Sequence, residues 1–133
     1  MSSGHSFTPS TLTSTFRSTG IGPEGFAFAS SDGSYTGGTP TPEQSTFYAK
    51  HGFYITSGYY VLRPEVLESN FYAWRVTGDS KYIERAATAV KNFQTYLKVK
   101  MGGYAALINV DDPSRGQYDD TESFWYAEVL KYL

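Results

Sequence analysis

Residues 64–99 hold two consecutive helical patterns separated only by Gly78 and Asp79, which commits the middle of the chain to packed helices. Proline suits the first position of a helix, because its missing N–H has no partner there and its φ is already helical, so Pro64 is read as the opening residue. Glu65 and Glu68 then fall in the first turn, three apart and on one face, where the helix dipole favours their ionised forms. Tyr72 and Arg75 extend that face, whereas Leu67, Phe71 and Trp74 form an apolar one. Gly78 is the usual left-handed terminator. Ser80 is expected to cap a second helix running to about Val99. Its Ile83, Ala86, Ala87, Val90, Phe93 and Leu97 keep the three-and-four spacing of a single buried stripe. Gly102-Gly103 is expected to end that helix.

The remaining segments predict short extended pieces and one more helix. Phe26, Phe28 and Ser30 alternate ahead of Asp32-Gly33, and Tyr35 resumes before Gly37-Gly38, a hairpin or an irregular excursion. Thr39 to Pro42 reads as a proline-punctuated loop and Phe53 to Val61 as extended. Tyr104 to Val110 is a short strand or loop, and Asp111-Asp112-Pro113 turns the chain. A third helix is expected from about Asp120 to Glu122 through Leu133. No terminating glycine follows it, and truncation is the expectation there. Residues 1–19 form a Ser/Thr-rich segment in which Leu12 and Phe16 mark at most a weak helix face.

The 133 residues suffice for one domain with a core. A net charge of −2 and the absence of any basic run leave no electrostatic footprint for nucleic acid or an anionic membrane. No run approaches the 18 apolar residues of a membrane span, and Met1 to Ser6 has neither the basic nor the apolar region of a leader. With no cysteine, disulfides and thiolate metal sites are excluded. The 17% aromatic content suits a sugar-binding protein, whose rings offer flat apolar faces. Aromatic cores and interfaces account for the same figure equally well.

Function is concentrated in four stretches. Arg63-Pro64-Glu65-Val66-Leu67-Glu68-Ser69, followed by Phe71-Tyr72-Ala73-Trp74-Arg75-Val76-Thr77-Gly78-Asp79, joins two carboxylates and an arginine at a helix start. Read alone, these acids are ordinary capping chemistry, and Arg63 paired with Glu65 or Glu68 is a surface ion pair. Glu24 in Gly20-Ile21-Gly22-Pro23-Glu24 reads as a helix cap. Phe124 and Glu128, four apart, share a face and read as a core aromatic beside a solvated acid. Taken together, these strings, Met101-Gly102-Gly103-Tyr104 and its continuation to Val110, and Glu122-Ser123-Phe124-Trp125-Tyr126-Ala127-Glu128-Val129-Leu130-Lys131-Tyr132-Leu133, resemble class I α-1,2-mannosidases, glycoside hydrolase family 47, in the family's order. The likeness spans roughly residues 20–133.

That resemblance implies a mainly α fold: part of an (α/α)7 barrel with short β-hairpin excursions, incomplete in this chain. Residues 20–133 would be its C-terminal part, truncated at the C-terminus, and residues 1–19 a degraded barrel helix. It implies inverting hydrolysis of terminal α-1,2-linked mannose from N-glycans, in which a base activates water while an acid protonates the leaving oxygen. Glu65 matches the base, Glu24 lies in the site wall with a suggested acid role, and Arg63 hydrogen-bonds sugar. Phe124 stacks on the mannose ring, while Glu65, Glu68 and Glu128 hold metal-bound water and sugar hydroxyls. The implied metal is Ca2+, whose direct threonine ligand belongs to an Asn-Thr-Glu-Ala-His-Pro-like segment that this sequence lacks. His5 and His51 match no family ligand. The missing N-terminal part of the barrel is the implied partner, and the secretory pathway the implied location. A non-catalytic mannosidase-like glycan-binding protein of glycoprotein quality control and an inert fragment are the competing readings.

Overall fold

A computed structural model describes residues 18–133, so the expectation placed on residues 1–17, including Leu12, Phe16 and His5, lies outside the described residues. The chain is mainly helical, as expected: helices α1 (Pro42–His51), α2 (Glu65–Thr77), α3 (Lys81–Tyr96) and α4 (Ser123–Ala127), with strands β1 (Gly25–Ala27) and β2 (Tyr54–Ser57).

β1 and β2 pair antiparallel, Phe26 opposite Ile55 and Ala27 opposite Tyr54, with an irregularity between Gly25 and Phe26. The two backbones approach closely at Gly25, where a Cβ would stand 2.7 Å from Thr56 Oγ1. The turn at Asp32-Gly33 forms as expected, with Gly33 at φ 85 and an isolated bridge between Ala29 and Tyr35. The longer partner of β1 is nevertheless β2, some thirty residues away in sequence.

The loop expected at Thr39 to Pro42 instead ends in a helix start. Thr41 Oγ1 accepts from Gln44 N at 3.3 Å, and the Gln44 side chain accepts from Thr41 N at 2.8 Å, a reciprocal cap with Pro42 inside the first turn. Gly52, at φ 77, closes α1 by donating to Tyr48 O. No residue of α1 is fully buried, so apolar periodicity carried no signal for it.

α2 and α3 form the expected helix pair, joined through Gly78 at φ 69. Three details differ. Pro64 is the residue flanking α2, in helical conformation, and Glu65 is the first helical residue. Ser80 makes no capping bond to the backbone; Asp79 Oδ1 accepts from Lys81 N at 3.0 Å instead. α3 stops at Tyr96, because Leu97 turns to accept from Ala105 N at 2.9 Å, and the Gly102-Gly103 pair makes the turn of that return. The apolar stripe is buried only at its far end, at Phe93 and Leu97, while Ile83 is 46% exposed. The near half of α3 faces a cavity.

The core lies where that far end meets the C-terminal segment. Leu62, Leu97, Leu107, Val110 and Val129 pack with Phe53 and Trp125, and Trp125 touches Phe93 and Tyr104 at ring separations of 5.6 and 4.7 Å. The residues from Tyr104 to Val110 run extended, with Leu107 bridging both Tyr60 and Gln117. The helix expected to fill the C-terminus is only five residues of α4 and a 3-10 turn at Val129–Lys131. Glu128, at φ −129, interrupts it, yet Trp125, Val129 and Tyr132 still point into the core.

Candidate active site

The segment from Tyr59 to Glu65 carries most of the site, and a strand-like contact from Glu24 organises it. Glu24 N donates to Tyr59 O at 2.8 Å. Its carboxylate then accepts from Val61 N at 3.0 Å through one oxygen and from Arg63 Nε at 2.5 Å through the other. Glu24 is therefore no helix cap. Its side chain is 9% exposed while that of Arg63 is 52% exposed, so the pair has a fixed acidic base and a solvent-facing guanidinium. Arg63 Nη1 lies 3.8 Å from Glu65 Oε1, at the edge of ion-pair contact, and Arg63 Cζ stands 5.8 Å from the centre of the Phe124 ring. Of the two local partners the sequence offered Arg63, Glu65 is a distant one, and the strong partner comes from 39 residues upstream.

Backbone strain aims this cluster. Leu62, immediately before Arg63, adopts φ 64, the left-handed region that a leucine rarely enters, and is fully buried. Tyr60 spans the turn, donating its hydroxyl to Arg63 O at 3.0 Å. Burial, together with the nearby Glu24 and Glu65 carboxylates, pushes the Tyr60 phenol well above the ordinary tyrosine range, so it stays a donor. The hydrogen bond that Arg63 donates to Glu24 raises the affinity of its guanidinium for the proton still further.

Glu24, Arg63 and Glu65 line a common cavity of about 870 Å³, bounded also by Phe26, Tyr60 and the near half of α3. Glu65 is 63% exposed and keeps access to water. Glu68, one turn along α2, is turned away: Tyr132 donates its hydroxyl to Glu68 Oε1 at 3.0 Å. Burial first, and then this bond, hold the Tyr132 phenol up at about 12. Phe124 is half-buried and reaches the cluster only through Arg63, and Glu128 is exposed beyond the end of α4. Their shared helical face is lost at Glu128, although its N–H still donates to Phe124 O at 2.9 Å. The structure thus joins Glu24, Arg63 and Glu65 on the cavity wall, ties Phe124 to them only through Arg63, and leaves Phe124, Glu68 and Glu128 off that wall.

Leu62, Tyr60 and Tyr132 were not singled out by sequence reasoning. The only local trace of the first two is the apolar, tyrosine-rich run leading into Arg63. Asn70 adds a buried oddity: its Nδ2 donates to Val66 O at 2.7 Å, whereas Oδ1 is buried without a partner. His51 packs against the Phe47 ring at 4.3 Å, as a packing residue does. Among the described residues no group of three or more His, Asp or Glu side chains could hold a metal ion. No described helix is long and apolar enough to cross a membrane.

The description of glycosyl hydrolase family 47 matches residues 2–133. The chain is 46% identical over 115 residues to mannosyl-oligosaccharide alpha-1,2-mannosidase 1B of Aspergillus phoenicis, covering 86% of this chain and 21% of that protein. It is equally similar, at 46% over 115 residues, to the protein of the same name from Emericella nidulans, with the same coverage of 86% and 21%. Among solved structures, alpha-1,2-mannosidase from Trichoderma reesei superposes with a TM-score of 0.79 at 44% identity, over 93% of this chain and 26% of that one. The mainly helical architecture is that of part of its (α/α)7 barrel. The chain spans about a fifth of the length of the curated relatives it matches.

Proposed function

The chain belongs to glycosyl hydrolase family 47, and from that membership we propose that it forms one wall of a mannosyl-oligosaccharide α-1,2-mannosidase site. The reaction is inverting removal of terminal α-1,2-linked mannose from N-glycans in the secretory pathway. The observation that carries this reading is the Glu24, Arg63 and Glu65 cluster opening on one cavity.

In this reading Glu65 is the general base. Its carboxylate sits at the first residue of α2, exposed to the water it must deprotonate, and inversion requires that water between the base and the anomeric carbon. Arg63 presents the guanidinium nitrogens not taken by Glu24 to sugar hydroxyls, in the planar fork that suits paired oxygens. Phe124, against the same guanidinium, offers its ring to the apolar face of mannose. Glu24 fits a positioning role better than an acid role. Both of its oxygens already accept hydrogen bonds, and adding a proton there would sacrifice the pair with Arg63. The proton for the leaving oxygen then comes from a group outside the described residues.

Calcium belongs to the proposal only for a complete barrel, with direct ligands from outside these residues and with Glu65, the one of the three implied acids that lines the cavity, holding a water on it. Bound there, it would supply a Lewis acid for sugar hydroxyls. The rest of the barrel is the partner that completes the site. A second reading, glycan binding without hydrolysis, draws on the occupied oxygens of Glu24, which leave it no proton to give the leaving oxygen.

Nuclear magnetic resonance titration of the 133-residue chain with methyl α-mannoside tests the proposal. The amides of Arg63 and Glu65 are expected to shift, and Glu65→Gln and Arg63→Leu to weaken that response. An unchanged spectrum at saturating sugar rejects the site. Incubated with α-1,2-mannobiose and calcium, the chain alone is expected to release no mannose. Release of β-mannose by the chain would show that no further part of the barrel is required, and α-mannose as first product would exclude inversion.

A further inference from the structure

The Arg63 side chain is half-exposed, and the backbone that launches it has few ties of its own. Pro64 after it offers no N–H, and Leu62 before it is held at φ 64. Among the described residues one hydrogen bond engages the Arg63 backbone, from the Tyr60 hydroxyl to Arg63 O at 3.0 Å.

Tyr60 itself is firmly fixed. Its N–H donates to Leu107 O at 3.0 Å, and its carbonyl accepts from Leu107 N at 2.9 Å. The buried ring stacks on Phe93, with 5.9 Å between centres and 14° between planes, and Phe93 in turn meets Trp125 in the core. The hydroxyl is therefore a stationary donor mounted on the core.

What the bond opposes is the left-handed Leu62. A leucine there is strained, and rotation of its backbone to an ordinary φ would carry the Arg63 peptide with it. Arg63 would then leave both carboxylates that orient its guanidinium: Glu24 Oε2, 2.5 Å from Nε, and Glu65 Oε1, 3.8 Å from Nη1. A carbonyl tied to the core cannot follow that rotation without giving up its hydrogen bond.

We propose that Tyr60 is a positioning residue of the sugar site: by holding the Arg63 carbonyl, its hydroxyl keeps the strained turn in the form that aims the guanidinium between Glu24 and Glu65. The inference rests on the proposed function and adds to it a residue that acts on the sugar only through Arg63.

Tyr60→Phe removes one oxygen and leaves the stacked ring. Two readouts separate positioning from plain support of the fold, both taken where the Trp125 indole resonance is native. One is the Arg63 Nε–H resonance of the sugar-free chain, which reports the bond to Glu24, and the other is affinity for methyl α-mannoside. Tyr60→Phe is expected to move the Nε–H resonance toward that of a solvated arginine and to weaken binding about two- to tenfold, the range of one hydrogen bond. Tyr60→4-aminophenylalanine restores a donor on the same ring and should recover most of both. Unchanged affinity in Tyr60→Phe overturns the positioning role. So does weaker binding with the Arg63 resonance unmoved, the mark of a phenol that touches sugar directly, and so does a loss that the amine leaves unrepaired. If Tyr60→Phe does not fold, the amine variant carries the test, and a displaced Arg63 resonance beside a native Trp125 signal is the contrary result. All of these leave the Arg63 and Glu65 site standing, whereas no response to methyl α-mannoside in the unmodified chain overturns the site and this role together.

Discussion

Leu62 combines two properties that rarely meet, a left-handed backbone and complete burial, one residue before the arginine it directs. A leucine held there costs about 1–2 kcal/mol, and its packed side chain, worth about 2–5 kcal/mol against alanine, outweighs that cost. Leu62→Ala loses the packing and keeps the strain, whereas Leu62→Gly loses slightly more packing and relieves it. The glycine variant is therefore expected to be no less stable than the alanine variant in denaturant unfolding, and a deficit for glycine above about 1 kcal/mol contradicts the strain. Glu24 is the other residue on which the site turns. Glu24→Ala leaves Val61 N and Arg63 without their acceptor, for an expected loss of about 1–3 kcal/mol and a weaker response to methyl α-mannoside. Neither role was legible locally. Arg63 has acids two and five residues away in sequence, yet folding delivers one from 39 residues upstream, and only the pairing of Glu24 with Tyr59 brings it there.

Elements differ in how openly their sequences announce them. α2 and α3 are written in apolar periodicity and a terminal glycine, and both form. α1 is written only in its cap, Thr41-Pro42-Glu43-Gln44, because no face of it is buried deeply enough to leave a stripe. Thr41→Ala is accordingly expected to destabilise the helix by about 1 kcal/mol, seen as faster amide exchange in Gln44 to Phe47 with the core unaffected. The C-terminal segment shows the opposite case, a helical pattern that breaks at Glu128 while keeping its buried residues. Its tie to α2 is the Tyr132 to Glu68 hydrogen bond, which predicts a pH dependence. The folded Tyr132 phenol titrates at about 12, above its unfolded value of about 10. Its contribution is full below pH 10, falls as pH rises because the unfolded chain releases its proton first, and is gone above 12. Tyr132→Phe should lose this slope, so unfolding midpoints of the two proteins measured between pH 9 and 12 are expected to converge.

Across the whole molecule, stability is concentrated at one end of the helix pair. Trp125, with Phe93 and Tyr104 around it, sits at that centre, and Trp125→Ala is expected to cost about 3–5 kcal/mol, a large part of what a domain of this size possesses. Hydrogen exchange should be slowest at Leu97, Leu107 and Val110 and fastest in the first two turns of α3, where Ile83 and the cavity leave the helix lightly packed. Uniform protection along α3 would show that the near half is packed as tightly as the far half. The motif strings alone determined the family and the mainly α class, and periodicity determined the helix pair, because these depend on side-chain identity over short spans. Which half of the α3 stripe is buried, which acid holds Arg63, and which candidates face one cavity were decided only by tertiary structure. Those outcomes depend on distant segments arriving at the same place, and neighbours along the chain carry no record of that.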